Sequence, residues 1–322
     1  MDLRRSLLVF VCLVAAAFSP PSGAQSSYPG RPIRFIVPYG AGGGTDFVAR
    51  LVGEKMAARL GQPIVVENKP GAGSSIGMAA VAKAAPDGYT MLLVAPAATA
   101  NPSLYDKLPF DVTRDFEHVG MISSAPVMLM ASSKAPFRTF DAFLDYAKAN
   151  PGKLSYASSG TGTVMHLGVE LLKLDLGLDV VHIPYKSAGA ALPDVLGGQV
   201  ALFSGTPATI AEFVKDGRMH VLISMSATKV PGYPDVPLVS ERLPGFQVST
   251  WNAIFMPKGT PADVVQTVSR TLKAVLEDPA TQDELAKAGF YPDFKTPEQM
   301  HELVLAEVPR WERVIKTTGI KQ

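Results

Sequence analysis

The 322-residue sequence predicts an α/β protein of two domains. Three observations carry the prediction: short apolar runs alternate with helix-period segments, two of the strand-to-helix junctions are glycine-rich, and the alternation breaks once, where two strands follow each other without a helix.

The first unit sets the pattern. Ile33, Phe35, Ile36 and Val37 read as a buried strand, and Val48, Val52, Met56 and Leu60 recur at every fourth position like one face of a helix. Between them Gly40, Gly42, Gly43 and Gly44 leave backbone N–H groups uncovered, and the start of a helix adds unpaired donors with a partial positive charge. That geometry holds an anion. Thr45 or Asp46 is expected to cap the helix, with Arg50 one turn on pairing with Asp46. The bland alternative is a tight turn that only lets the helix pack on the sheet.

The same plan continues. Residues 64–66 are a second apolar run, 67–75 a glycine turn, 76–85 helix-like, 86–89 a turn signal and 90–94 a third buried strand. Its exit, 96–101, is expected beside the Gly42 turn, where parallel open sheets place their ligands. From Phe116 the texture changes: 119–122 and 127–131 are successive strands, as at a crossover between domains. Thr139 caps a helix running to Asn150, and 154–157 is a strand entering Ser158-Ser159-Gly160-Thr161-Gly162-Thr163 ahead of a helix with His166, Leu167, Leu171 and Leu172. Strand 180–183 exits through Pro184-Tyr185-Lys186-Ser187 into a helix over 190–196 that Pro193 must kink unless it starts late. A short strand at 201–203, a helix opening at Thr206-Pro207 and a strand at 221–225 return the chain toward the first domain. Residues 251–256 are apolar, Val264, Val268, Leu272 and Val275 mark an amphipathic helix, and Thr296-Pro297-Glu298-Gln299 has capping-box spacing for a last helix that Pro309 should bend.

Composition narrows the function. Arg4 and Arg5 precede the apolar run 7–18, and Ser22-Gly23-Ala24 offers small residues, so 1–24 read as an export signal cleaved after Ala24. Cys12, the only cysteine, lies inside it, leaving a mature chain with no disulfide and no thiol nucleophile. The 30 basic and 29 acidic residues nearly cancel, which gives no electrostatic case for nucleic acid or an anionic membrane surface. A P-loop needs Gly-Lys-Ser/Thr where this loop ends Gly44-Thr45-Asp46, and a dinucleotide fingerprint meets Thr45 where its third glycine belongs. The five histidines show no ligand spacing, so neither metal nor other cofactor is expected. Gly73-Ser74-Ser75-Ile76-Gly77 matches a nucleophile elbow and raises a serine hydrolase using Ser75 as the alternative, although Pro70 to Gly73 separate that serine from its strand.

Several blocks then stand together: Val37-Pro38-Tyr39 with Gly42-Gly43 and Asp46; Glu67-Asn68-Lys69-Pro70-Gly71-Ala72-Gly73 with Gly77; Pro86-Asp87-Gly88-Tyr89-Thr90; Ser158-x-Gly160-x-Gly162-Thr163 with His166; Pro184-Tyr185-Lys186; Gly197-Gly198-Gln199-Val200; and Trp251 ahead of Pro257-x-Gly259-Thr260-Pro261. In these the chain resembles the substrate-binding proteins of tripartite tricarboxylate transporters, the Bordetella uptake gene family, along nearly all its mature length. The resemblance implies a type II-like periplasmic binding protein, monomeric, with a ligand cleft between two lobes: 25–122 with 226–322, and 123–225. It implies capture of a small organic acid without chemistry, and delivery to membrane permease subunits or a sensor kinase. One wall would be Tyr39, Gly42, Gly43, Thr45 and Asp46 with Thr99 and Ala100; the other, Ser158, Gly160, Gly162, Thr163 and His166 with Tyr185. Asp46 would repel an anion unless its carboxylate is occupied, so it is assigned to shaping the loop. His166 is as readily a structural hydrogen-bonding group as a ligand contact. Ser204-Gly205-Thr206 stands where relatives carry Phe-Asp-Asn, and Ala201 where they carry Asp, which removes a partner for a ligand ammonium and favours a dicarboxylic or uncharged-side-chain acid over an amino acid.

Overall fold

The computed structural model describes residues 28–321, so the export signal and its cleavage point lie outside the described residues. Two sheets form the two lobes. The first contains β1 (Ile33–Val37), β2 (Ile64–Asn68), β3 (Thr90–Val94), β4 (Phe116–Pro126), β10 (Ser249–Pro257) and β11 (Tyr291–Pro292), in the order β11-β4-β10-β3-β1-β2. The second contains β5 (Met128–Ser132), β6 (Ser155–Ser158), β7 (Val181–Pro184), β8 (Leu202–Gly205) and β9 (Met219–Ser224), in the order β7-β6-β8-β5-β9. The successive strands expected near residue 120 are β4 and β5, and Val127 alone separates one sheet from the other.

Parallel pairing follows the βαβ units. β1 runs parallel to β2 and β3, β6 runs parallel to β7 and β8, and β10 closes the first sheet antiparallel to β3 and β4. The helices are α1 (Gly44–Leu60), α2 (Ser75–Ala82), α3 (Ala97–Leu104), α4 (Phe140–Ala149), α5 (Val164–Leu176), α6 (Ala188–Gly197), α7 (Pro207–Lys215), α8 (Ala262–Leu276), α9 (Pro279–Lys287) and α10 (Pro297–Thr318). Their ends obey local chemistry. Thr139 Oγ1 accepts the Ala142 N–H at 3.3 Å to open α4, and Thr296 with Gln299 forms the expected capping box of α10.

One expectation needs correction, and two further elements are defined. Helix α1 begins one residue earlier than the caps proposed for it: Gly43 is its N-cap, and neither Thr45 nor Asp46 takes that role because both already lie in its first turn. The exit of β3, to which the sequence assigned no element, forms α3. Pro193 and Pro309 lie inside α6 and α10 respectively, and α6 starts early, at Ala188, with the Ser187 hydroxyl accepting from Ala190 N–H.

Helix α10 joins the lobes. Met300 and Val304 pack in the core around Trp251 and Phe255 of the first sheet, while Trp311, Val314 and Ile315 pack with Leu129 and Leu202 of the second sheet and Leu167 of α5.

Candidate functional site

Three parallel strands in each lobe end at one sheet edge, and each runs into a helix. In the first lobe β1, β2 and β3 lead to α1, α2 and α3; in the second β6, β7 and β8 lead to α5, α6 and α7. First-turn amides have no intrahelical acceptor, so each edge gathers donors and partial positive charge.

At the first glycine loop, Gly42 takes φ +79 and its N–H donates to Asp46 Oδ2 at 2.9 Å. Arg50 Nε donates to the same oxygen at 2.9 Å, and Asn68 Nδ2 to Oδ1 at 2.8 Å. The side chain of Asp46 is buried, and Arg50 foremost, with the Gly42 amide and Asn68, holds its carboxyl down at about 2. The acid therefore shapes the loop and its charge is spent internally. Gly40, Gly42, Gly43 and Gly44 are exposed, and Thr45 is half-buried. Tyr39 shares a hydrogen bond with Ser74, and burial pushes its phenol up to about 12.

The second glycine loop repeats the device. Gly162 takes φ +75 and its N–H donates to His166 Nδ1 at 3.0 Å, while Thr163 caps α5 with its side chain accepting the His166 N–H. In both loops the residue before the N-cap is a glycine of positive φ, and its amide is held by the side chain four residues on, at the third position of the helix. An imidazole that accepts at Nδ1 is neutral and carries its proton on Nε2. Burial, then the His182 ring stacked on it at 3.7 Å, pushes His166 down to about 3. His166 is 3% exposed, and its Nδ1 braces the Gly162 amide.

Ser158 is fully buried, its Oγ bonded to His182 Nε2 at 2.7 Å and to the Gly160 N–H at 3.2 Å. That serine–imidazole distance suits a nucleophile and base, but no solvent reaches the hydroxyl. Gly160 takes φ +133 with the Tyr185 carbonyl against it, and Tyr185 N–H donates to the Ser158 carbonyl at 3.2 Å. The Tyr185 hydroxyl donates to Asp194, which raises its pKa to about 12 and leaves the ring half-exposed beside the loop.

Thr99 and Ala100 are placed differently from expectation. Because the exit of β3 is helical, Thr99 is wholly buried and Ala100 1% exposed, and neither side chain reaches an open wall. Thr99 Oγ1 lies 2.9 Å from the Pro96 carbonyl and 2.8 Å from Glu307 Oε2. A hydroxyl has one proton, so satisfying both contacts requires Glu307 to bring another. Burial raises the pKa of that carboxyl, and Trp251 Nε1 donates to its other oxygen at 3.2 Å.

The elbow motif does not fold as an elbow. A 3₁₀ turn at Ala72–Ser74 separates β2 from Ser75, which is the first residue of α2 and accepts from Asn101 Nδ2 at 3.3 Å. At Gly205 the Phe203 ring fills the side-chain space, a Cβ there falling 2.4 Å from Cε1. Residues that sequence reasoning passed over are Asn68, which sits inside a quoted block, and His182, whose partner is 24 positions distant. Among the described residues no cluster of three or more metal-ligating side chains occurs.

Comparison with known proteins gives a consistent picture. A family model described as the tripartite tricarboxylate transporter family receptor matches residues 48–320. Protein BugT of Bordetella pertussis is 35% identical over 324 residues, covering 100% of this chain and 99% of that protein. The periplasmic binding protein BugD superposes with a TM-score of 0.73 at 36% identity, covering 92% of this chain and all of the other. MatC of Rhodopseudomonas palustris with bound malate superposes with a TM-score of 0.73 at 32% identity, covering 89% and 100%. An R. palustris protein, Rpa4515, with adipate gives a TM-score of 0.77 at 30% identity, covering 92% and 100%.

Proposed function

The chain belongs to the tripartite tricarboxylate transporter receptor family of periplasmic solute-binding proteins, and from that premise we propose that it captures a dicarboxylic acid between its two glycine loops. The observation that carries this is the matched pair of loops. Each spends one amide, Gly42 or Gly162, on a side chain of its own helix, which fixes the loop just ahead of the helix start. One carboxylate then rests on the start of α1, flanked by Tyr39, Gly43 and Thr45, and the other on the start of α5, flanked by Gly160, Thr163 and Tyr185. Asp46, His166 and Ser158 act through the loops and do not touch the ligand. Thr99 and Ala100 support α3 from within.

The lobes in this reading are residues 25–122 with 226–322, and 123–225, although β4 keeps residues as far as Pro126 in the first sheet, which moves the crossing to Val127. Residues 1–24 direct export with cleavage after Ala24, and the loaded monomer meets membrane permease subunits or a sensor kinase. No bond of the ligand is made or broken, since transport needs reversible capture. Bound malate in one structural neighbour and adipate in another support a dicarboxylate of about that size. The filled space at Gly205 supports it against an amino acid, because no carboxylate stands there to receive an ammonium.

Calorimetry with malate, succinate, adipate, aspartate and glutamate tests the reading. Binding of at least one simple dicarboxylate, tighter than either amino acid, is expected. Tight binding of aspartate or glutamate with no response to the others would refute it.

A further inference from the structure

Between the two strand edges runs the short segment that ends α9. Gly289 follows that helix at φ +80, its N–H bonded to the Ala286 carbonyl at 2.9 Å. A glycine stop of this kind is ordinary at a helix end. It accounts for the φ of Gly289 and not for what Gly289 touches. A Cβ built there falls 2.1 Å from the Cβ of Ala208, the second residue of α7, at the β8 end of the other lobe. The next residue, Phe290, is anchored in the first lobe. Its ring packs with the core that includes Ile33 and Val48 and lies over Gly44 at the start of α1, where a Cβ would stand 2.8 Å from Cζ. Gly289 therefore travels with the first glycine loop, and Ala208 with the second sheet.

We infer that the Gly289–Ala208 contact is the stop that sets how closely the two lobes approach, making Gly289 a positioning residue for capture; the inference rests on the two-loop reading above. The contact is purely steric. Carbon atoms settle at about 3.5–4.0 Å, so a methyl group forced to 2.1 Å must push the lobes apart at that point by more than 1 Å. A ligand spanning amides on both lobes then loses good geometry on one side, since hydrogen bonds lengthened past about 3.2 Å weaken steeply.

The test uses Gly289→Ala, Ala208→Gly and the double variant, with succinate, glutarate and adipate as calorimetric probes and the melting temperature of each empty protein alongside. In the double variant the nearest remaining atom is the Cα of residue 208 at 3.4 Å, an ordinary contact. Gly289→Ala is expected to weaken the best-bound acid about tenfold or more, the loss of one charge-assisted hydrogen bond. The double variant should recover to within about threefold of Ala208→Gly, while both the single Gly289→Ala protein and the double variant melt below the unmutated protein, because the positive φ strains the new side chain in both. Binding by Gly289→Ala equal to that of the unmutated protein, or a double variant as weak as the single one, would overturn the inference and leave only a helix-stop role. Failure of the unmutated protein to bind any of these three acids or malate overturns the capture reading and this inference with it, and is told apart because no substitution is needed to see it.

Discussion

Replacing Gly43 by Asp should abolish capture while leaving the empty protein as stable as before, or slightly more so. Gly43 is the N-cap of α1 at φ −80 and ψ 167, a conformation open to any L-residue, and a Cβ there meets nothing nearer than the Gly40 carbonyl at 3.6 Å. Asp is a favoured N-cap and gains a few tenths of a kcal/mol over Gly, with about 0.3–1 kcal/mol more from a negative charge at the helix start. A ligand carboxylate on the same amides would lie about 4 Å from the new one, a repulsion of roughly 4 kcal/mol at an effective dielectric of 20. That corresponds to about a thousandfold in Kd. Calorimetry with the best-bound dicarboxylate, paired with melting curves with and without it, reads both effects. A ligand at 100 times its Kd stabilises by about 2.7 kcal/mol, and this shift should vanish. Gly43→Asn fills nearly the same volume without the charge and should retain part of the affinity. Binding by Gly43→Asp within tenfold of the unmutated protein would refute the placement of the carboxylate on α1. The corresponding change at Gly162 is less clean, because its φ of +75 makes any side chain costly in the empty state.

The buried groups His166 and Glu307 carry the remaining predictions. His166→Gln keeps an acceptor for the Gly162 amide, whereas His166→Leu removes it and should weaken dicarboxylate binding about tenfold by calorimetry. His166 has a folded pKa near 3, below its unfolded value of about 6.5, so its contribution is complete above pH 6.5 and is lost as the pH falls toward 3. Melting curves of His166→Gln between pH 6.5 and 4 should accordingly fall less steeply than those of the unmutated protein. Glu307 shifts in the opposite direction: its folded pKa is raised, so its contribution is present below about pH 4.3 and is lost as the pH rises through the folded value. Glu307→Gln should raise the melting temperature at pH 8 and change little at pH 4, with the amide donating to Thr99 and accepting from Trp251; an equal loss at both pH values would show that Glu307 is ionised in the folded protein.

The parts legible in the sequence are those governed by neighbours in the chain. The β1 strand, the turn and the period of α1 are local, as are the Thr139 cap, the Thr296 capping box and the pairing of Asp46 with Arg50. What escapes depends on distant partners. Nothing near Thr99 announces that Glu307, two hundred residues on, will bury it, and the apolar run preceding α3 gives no sign that its exit is helical. Helix α9 and the two-residue strand β11 are also hard to read. Pro279 and the charged residues of α9 give a weak apolar stripe, and β11 exists only through its pairing with Ser123 and Ser124 of β4. The stacking of His166 on His182 likewise joins two strand-to-helix units that are adjacent only in the folded sheet.

The two loops solve one difficulty with different chemistry. A glycine loop is a good anion cradle because its amides are uncovered, yet an uncovered flexible loop must be ordered when the ligand arrives, and that cost is subtracted from affinity. Giving up one amide per loop removes much of the cost beforehand. In the first loop the acceptor is an ionised carboxylate, tolerable next to an anion only because Arg50 and Asn68 bind its oxygens. In the second the acceptor is an imidazole kept neutral by burial, which repels nothing and needs no cation. Neither brace relies on an unpaired cation, since Arg50 is bound to Asp46 and His166 is neutral. In the proposed capture the ligand would be held by neutral donors on both loops at once, so its affinity should depend on how closely the lobes approach.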